Sequence, residues 1–595
     1  MLMSSGKKKL IIICVSVLLL AAIGGGIVFV ALSGHIGNPR YQFGKVEYYS
    51  TADGSVITDS YCYSDDWFLG KATEENDSLA LISMQLTATV GDDDPDGTGV
   101  RFLNELGFEE TGFEGFDVDE PEQVSYLWGR KTIGSGLNKS TLVVIVIQSY
   151  SSDKEVSKMA WTQNFTVNGD EETDEFYSYS RCIDETVDGV EKLADGNTKY
   201  WIMGESRGGA LTNILAARLG DRISRAESHI FAYTFEAPCT VDYTATKKLE
   251  ENYAYIHNYI CNEDIVTSVP PWNMTRYGTT YILDSRDSNA KLPSELQRMG
   301  SPLYDVTQSE YYGSFESEYI EKVTKAITDE IPNRADYSKD RTVTLEDPDG
   351  GEITLNYNYQ DMLVKLMGVV FGDQDLKSFG STLLENKGAL IGMGLNLLMG
   401  VTLGSDSRLL QVARDFKSYA DGSGIELPFT EDEYFGFFKL AAPIMIDASS
   451  GISIEGMGDF NMFGSLSPLM NLGESAKALT LSHHFDAVIA RLKIRAGIPE
   501  VAGFDVSAGG DSAKEIEKAL NSSKAATGST DCRGVAWMTF EVEEGISGAY
   551  DVTLRLTGHR CEDDFEFTIE GEESISPLEI TYEDGDCVIR GTWDI

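Results

Sequence analysis

The chain has 595 residues, 42% of them hydrophobic, and its 95 Asp and Glu against 48 Lys and Arg give a formal net charge of −47. That hydrophobic share supports large cores and excludes a disordered chain, and the length corresponds to about two to four domains. The acidic excess excludes nucleic acid as a partner and electrostatic docking on anionic lipid; a well-solvated acidic surface accounts for it.

Lys7-Lys8-Lys9 precede an uncharged 23-residue stretch, Leu10 to Leu32. About 20 apolar residues cross a bilayer and flanking lysines stay cytoplasmic, so residues 1–34 are expected to be a cytoplasmic stub and transmembrane anchor. The bulk of the chain then lies outside the cell. The rival reading is a signal peptide cleaved near Ala31-Leu32-Ser33, giving a secreted protein. Outside the cell, disulfides are permitted among Cys62, Cys182, Cys239, Cys261, Cys532, Cys561 and Cys587, with Cys14 inside the anchor. Their number is odd, and no C-x-x-C occurs that would suggest structural zinc.

Residues 35–284 read as the first part of an α/β core. Ser78 to Thr89 and Arg101 to Gly107 have helical patterns, the second stopped by its glycine. Between them Asp92, Asp94, Asp96 and Gly97 match the start of a calcium loop, but Leu103 stands where such a loop needs Glu, which leaves an acidic turn. Val124 to Lys131 and Thr141 to Gln148 are strands, the latter apolar on both faces as central strands are. A helix near Ser178 to Leu193 leads into a short apolar run, Tyr200 to Met203, followed by Gly204-Glu205-Ser206-Arg207-Gly208 and a helical pattern through Ala210, Leu211, Ile214 and Leu215. Strand, G-x-S-x-G and helix form the context of a nucleophile elbow, in which the glycines let strand and helix approach around a strained serine. The alternative is a serine in an ordinary strand-to-helix turn. A strand at His229 to Phe235, a helical piece near Val241 to Leu249 and a strand at Tyr253 to Cys261 continue the alternation of a parallel sheet. Asp264 lies just past that last strand, on the edge where α/β proteins build their sites, with Glu263 as a competing carboxylate.

Residues 285–480 carry no alternating strand pattern and are expected to be a mainly helical insertion or cap, with helices near Glu316 to Asp329 and Tyr359 to Phe371. Gly388 to Gly404 is apolar and glycine-laced but short for a membrane span; it suits a buried cap helix or a mobile lid that meets lipid. Residues 481–525 return to the core, with a helix starting near His484 and a short one at Ala513 to Ser523. Period-two alternation at 536–542, 550–556 and 565–569 makes residues 526–595 a β-sandwich.

A serine nucleophile needs a base and an acid that orients it, and α/β-hydrolases supply them in the order Ser, Asp or Glu, His. Of six histidines, His35 is beside the membrane, His229 and His257 precede the acid, and His559 lies in the sandwich. His483 and His484 remain as the base, against a reading as capping or surface residues.

The stretch 198–278 resembles the class 3 lipases, an α/β-hydrolase family that includes the fungal triacylglycerol lipases, and is more similar still to a bacterial branch. The resemblance rests on Met203 to Ala210, Thr234 to Pro238, Asn262 to Val266, Pro270 to Trp272 and Arg276 to Gly278, with Leu106-Gly-Phe108 and Trp161 to Phe165 upstream. It covers roughly residues 45–285 and the histidine segment. It implies Ser206 as nucleophile, Asp264 as acid and His483 as base, because Asp486, Val488 and Ile489 follow His483 at the family spacing; counted from His484 the acid position is Ala487. The family usually has Arg-Gly-Thr or Arg-Gly-Ser after the strand before the elbow, and here Gln148-Ser149-Tyr150 aligns with it. The oxyanion donors are then Arg207 and Ser149, with Tyr150 as second choice. The expectation is a membrane-anchored, outward-facing serine hydrolase that cleaves an ester or lipid through an acyl-enzyme, with no metal or organic cofactor. The altered oxyanion strand motivates the alternative, a weak or inactive hydrolase-fold surface binding protein.

Overall fold

A computed structural model of the chain describes residues 42–90, 97–116, 124–136, 139–149, 183–243, 249–309, 312–313, 316–370, 393, 396–397, 399–422, 427–447, 477–496, 500–507, 549–557, 579–583 and 586–594. The expected anchor at 10–32, the acidic turn at 92–96, Tyr150, residues 161–165, part of the 388–404 run, the helix at 513–523, and the strands at 536–542 and 565–569 lie outside these residues. No helix among the described residues is long and apolar enough to cross a membrane.

With helices shorter than eight residues left unnumbered, the chain opens on a hairpin, β1 (Gln42–Tyr49) and β2 (Val56–Tyr63). There follow α1 (Asp77–Ala88), α2 (Thr98–Glu105), β3 (Glu110–Glu114), β4 (Tyr126–Ile133), β5 (Ser140–Ile147) and α3 (Ile183–Lys192). The middle of the chain gives β6 (Thr198–Glu205), α4 (Ser206–Arg222), β7 (Ile230–Phe235), β8 (Val241–Asp242), β9 (Ile256–Ile260), β10 (Met274–Thr275) and β11 (Thr279–Ile282). A seven-stranded sheet runs in the order β11-β9-β7-β6-β5-β4-β3. Its five strands from β11 to β5 are parallel, while β4 and β3 add on antiparallel. The sheet is therefore mixed rather than all parallel. It is an α/β sheet whose central strands, β6 and β5, are buried almost throughout, as strands covered on both faces must be.

Every residue of α1 is buried. It lies against β6, β5 and β7 on one side and against the histidine-bearing helix, α10 (Phe485–Ala496), on the other. Trp201 Nε1 donates to Ser83 Oγ at 2.8 Å, tying α1 to the strand that delivers the elbow. Helix α5 (Arg286–Met299) covers the next face of α10, through Leu292 and Leu296 against Ala487 and Ala490.

Between α5 and α10 the expected helical insertion supplies α6 (Ser317–Glu330), α7 (Tyr359–Val370), α8 (Asp406–Gly422) and α9 (Glu431–Asp447). It also contains a hairpin, β12 (Arg341–Glu346) and β13 (Glu352–Tyr357), that packs on α8 and α9. Val343 and Leu345 on β12 and Ile353, Leu355 and Tyr357 on β13 alternate with polar residues, and Leu355 and Tyr357 are buried, so the expectation that 285–480 carries no alternating strand pattern is corrected here. The insertion is anchored to the core where Trp272 Nε1 donates to the Ile331 carbonyl at 2.7 Å.

At the C-terminus, β14 (Glu500–Ser507), β15 (Ala549–Thr557), β16 (Glu579–Glu583) and β17 (Asp586–Asp594) form one antiparallel sheet in the order β14-β15-β17-β16. Residues 500–507 are expected from sequence within the core segment 481–525; their pairing with β15 crosses the expected boundary at 526.

Helix α10 enters the core carrying charge. Lys493 Nζ lies 2.7 Å from Asp59 Oδ1 and 3.5 Å from Glu295 Oε1, each side chain 5% exposed or less. Gln85 donates to the other Asp59 oxygen at 2.8 Å. Removing one member of a buried ion pair strands its partner, at a cost of about 3–5 kcal/mol. Lys493→Met is expected to lower the unfolding free energy by that amount in urea titration, and a loss below about 1 kcal/mol would show that the pair is not buried in solution.

Candidate active site

Three chain segments meet above the carboxyl edge of the sheet. The first is the elbow. Ser206 has φ +52°, in the left-handed region a non-glycine residue enters only when the surroundings hold it there. Those surroundings are tight: a Cβ on Gly204 would stand 2.3 Å from the Gly208 carbonyl oxygen, and one on Gly208 would stand 2.8 Å from the Ile147 carbonyl oxygen. Only glycine fits at either position. A buried polar network fixes α4 beneath the elbow. Asn213 donates to Asn258 Oδ1 at 2.9 Å and to the Tyr277 carbonyl at 2.8 Å, while Thr240 donates to Asn213 Oδ1 at 2.7 Å and Thr234 to Asn258 Oδ1 at 2.7 Å.

The second segment follows β9. Asp264 caps the short turn Ile265–Ser268, accepting the Val266 N–H on Oδ1 at 2.9 Å, which frees Oδ2 for a partner. Glu263, the competing carboxylate, faces Arg491 at 3.2 Å on α10.

The third is the turn Leu481–His483 before α10. His483 Nδ1 is 2.5 Å from Asp264 Oδ2, and His483 Nε2 is 2.9 Å from Ser206 Oγ. His484 points elsewhere, with Nδ1 2.9 Å from Thr51 Oγ1 on the β1–β2 connection. The structure thus brings Ser206, Asp264 and His483 together and leaves His484 apart from them. When the ring is neutral with its proton on Nδ1, that nitrogen donates to Asp264 and Nε2 is left to accept the serine proton.

Ser149 lies past the end of β5 and is half-buried, and hydrogen bonding from its side chain acts to lower the Glu205 carboxyl. Arg207 opens α4, directly after the serine. The close approach of Gly208 to Ile147 and Gln148 sets the end of β5 beside the start of α4.

Two carboxylates that the sequence does not single out complete the site. Glu205 is 3% exposed, and its Oε1 is 3.7 Å from His483 Nε2. Burial raises the Glu205 carboxyl to about 7, against the pull of the His483 charge and the Ser149 hydrogen bond. Glu236, fully buried just past β7 with φ +43°, accepts the Cys261 N–H at 2.8 Å on Oε2. Burial and the Asp264 charge hold its carboxyl well above the usual range. Glu205, Glu236 and Asp264 therefore end three neighbouring strands, β6, β7 and β9. A search for carboxylates at or just past the ends of consecutive parallel strands would have found them. Burial disfavours the charged imidazole of His483, but the charge and hydrogen bond of Asp264, then Glu205 and Glu236, outweigh it and raise the group to about 10. Cys239 and Cys261, two of the residues considered for disulfides, are buried free thiols here.

The raised affinities have a sign. His483 binds its proton more tightly folded than unfolded, so its contribution is complete below pH 6.5 and disappears as pH rises through about 10. Glu205 acts in the same direction at lower pH, its contribution lost as pH rises from 4.5 through about 7. The thermal-midpoint advantage of the wild type over His483→Asn is expected to narrow between pH 6.5 and 10. An advantage that widens over that range in calorimetry would contradict the assigned charge state.

Residues 149–274 match the family model of lipase (class 3). No curated protein matches the sequence. Among solved structures, the chain is similar to a triacylglycerol lipase described as having a serine-protease triad at its catalytic centre, at 16% identity over 28% of this chain and 63% of that one, TM-score 0.20. It is similar to the native Rhizomucor miehei lipase propeptide complex at 18% identity over 34% and 68%, TM-score 0.22. A lipase from Rhizopus microsporus var. chinensis matches at 13% identity over 34% and 75%, TM-score 0.23. The chain spans 63% of the length of the first of these structures.

Proposed function

We propose that the chain, whose residues 149–274 match the class 3 lipase model, is a serine hydrolase cleaving carboxylic esters, lipid esters among them, through an acyl-enzyme. The observation that carries this reading is the continuous relay Ser206 Oγ, His483 Nε2, His483 Nδ1, Asp264 Oδ2, with both gaps at 2.9 Å or less. His483 takes the proton of Ser206 as the serine oxygen attacks the ester carbonyl. It then gives that proton to the leaving alcohol, and water repeats the cycle on the acyl-enzyme. Asp264 holds the ring in the required tautomer and stabilises the imidazolium. The Arg207 N–H and Ser149 supply the oxyanion donors; because hydrogen bonding from the Ser149 side chain acts on Glu205, the Ser149 main-chain N–H is the donor proposed.

Residues 10–32 are proposed as a membrane anchor with the hydrolase outside the cell, on the strength of the uncharged stretch after Lys7-Lys8-Lys9. Protease digestion of intact cells tests it: the large fragment should be shaved from outside, and full protection would reject this topology.

A fluorophosphonate probe is expected to label the wild type and not Ser206→Ala. Asp264→Asn should lower kcat on a short-chain ester by about 10⁴, the loss typical of a triad acid, whereas His484→Ala should leave turnover nearly intact. A wild type that is folded yet neither labels nor hydrolyses esters would reject the reading in favour of a hydrolase-fold binding protein. An acyl-length series would then define the substrate of an active enzyme.

A further inference from the structure

His483 has a second acidic neighbour on the edge of the ring that serves Ser206. Nε2 lies 2.9 Å from Ser206 Oγ and 3.7 Å from Glu205 Oε1, and the Glu205 side chain is 4% exposed. Glu205 is the last residue of β6, its neighbour Ser206 is held at φ +52°, and hydrogen bonding from the Ser149 side chain acts on its carboxyl. We propose that Glu205 is an electrostatic partner of the reacting histidine nitrogen, stabilising the imidazolium formed during ester cleavage and setting the pH at which His483 becomes a base. This deepens the hydrolase reading and rests on it.

Following the proton shows what the carboxylate does. As the serine oxygen bonds to the ester carbon and the carbonyl electron pair moves onto oxygen, the serine proton moves to Nε2. The imidazolium then sits between Asp264 at Nδ1 and Glu205 at Nε2. An ionised Glu205 lowers the energy of that charged ring, and the proton later leaves on the alkoxide. The same attraction acts before substrate arrives, so a protonated resting ring is also favoured and the base is freed only at higher pH. Glu236 and Asp264 face the same imidazole and reinforce the effect. His484 is held neutral by burial and by the His483 charge, its own group lowered to about 4, so it brings no opposing charge at neutral pH. The Cys261 N–H and Arg491 act on Glu236 behind them.

The experiment compares wild type, Glu205→Gln and Glu205→Asp by pH profiles of kcat and KM on a short-chain ester, and by NMR titration of labelled histidine with His483→Gln to assign the resonance. Glu205→Gln is expected to move both the acid limb of kcat and the His483 titration down by at least one pH unit. It should also lower the alkaline plateau of kcat about tenfold, the rate equivalent of about 1.4 kcal/mol, with KM unchanged. Glu205→Asp should hold the titration within about half a unit of wild type, because it keeps the charge. Triad-dependent hydrolysis with neither limb nor titration moved by Glu205→Gln overturns this proposal alone. A titration that moves in a protein without esterase activity overturns the hydrolase reading and leaves the coupling standing. Should Glu205→Gln fail to fold, the wild-type resonance decides: an imidazole titrating within one unit of the ordinary 6.5 overturns the proposal.

Discussion

The hydrogen bond between His483 and Asp264 joins residues 219 positions apart, and the His483–Ser206 bond joins residues 277 apart. No local propensity brings such groups within 3 Å. Loop closure over such distances is costly in chain entropy, and the contact persists only if other interactions have already placed both ends. The structure can be understood as the set of devices that do so. On the acid side, Asp264 is fixed by capping its own turn, and the Cys261 carbonyl accepts the Thr267 hydroxyl at 2.9 Å beneath it. On the base side, α10 is pressed between α1 and α5, its buried Lys493 and Arg491 and its half-buried Arg495 each matched by an acid. Lys493 meets Asp59 and Glu295, Arg491 meets Glu263, and Arg495 meets Asp77.

These pairings explain how a helix that follows nearly two hundred residues of insertion finds its place. Apolar packing alone would let α10 rotate or slide by a residue at little cost. Buried charges do not allow that, since each shifted register would leave an unpaired ion. The Ser50 and Ser301 hydroxyls add a second constraint by donating to the buried Asp486 Oδ2, at 2.8 and 2.6 Å, one turn beyond the histidine. The acid three residues after His483, visible in the sequence as a spacing match, therefore acts physically by pinning the start of α10 to the β1–β2 turn and to the segment after α5.

Legibility followed the range of the interactions. The elbow was readable because its constraint is local: two glycines, a strand and a helix within nineteen residues, with the backbone conflict at Gly204 and Gly208 now visible as distances. Asp264 and the histidine pair were readable from order along the chain, but the choice between His483 and His484 needed the spacing of Asp486, which the three-dimensional contacts explain. The short β3 was not read as a strand, and the antiparallel β4 was not distinguished from a parallel one, because the direction of a strand depends on its connection and not on its composition. The β12–β13 hairpin shows the period-two alternation in Val343, Leu345, Ile353, Leu355 and Tyr357, and was passed over as two six-residue strands inside an otherwise helical segment. Glu205 and Glu236 escaped because a glutamate beside a motif reads as solvated surface, and only the packing of neighbouring strands shows that it is buried.

That last omission has a structural logic. Glu205 occupies a position the elbow forces inward: the residue before the serine ends β6 at the centre of the sheet, where its side chain has no route to water. A neutral apolar residue there would cost nothing to bury, whereas an acid must be offset by a partner or hold a proton. The available partners are the imidazole of His483 and the Ser149 hydroxyl. Hydrogen bonding from Ser149 and the positive charge of His483 both act to lower the Glu205 carboxyl that burial raises. One buried side chain is thereby coupled both to the segment after β5 and to the imidazole beside Ser206.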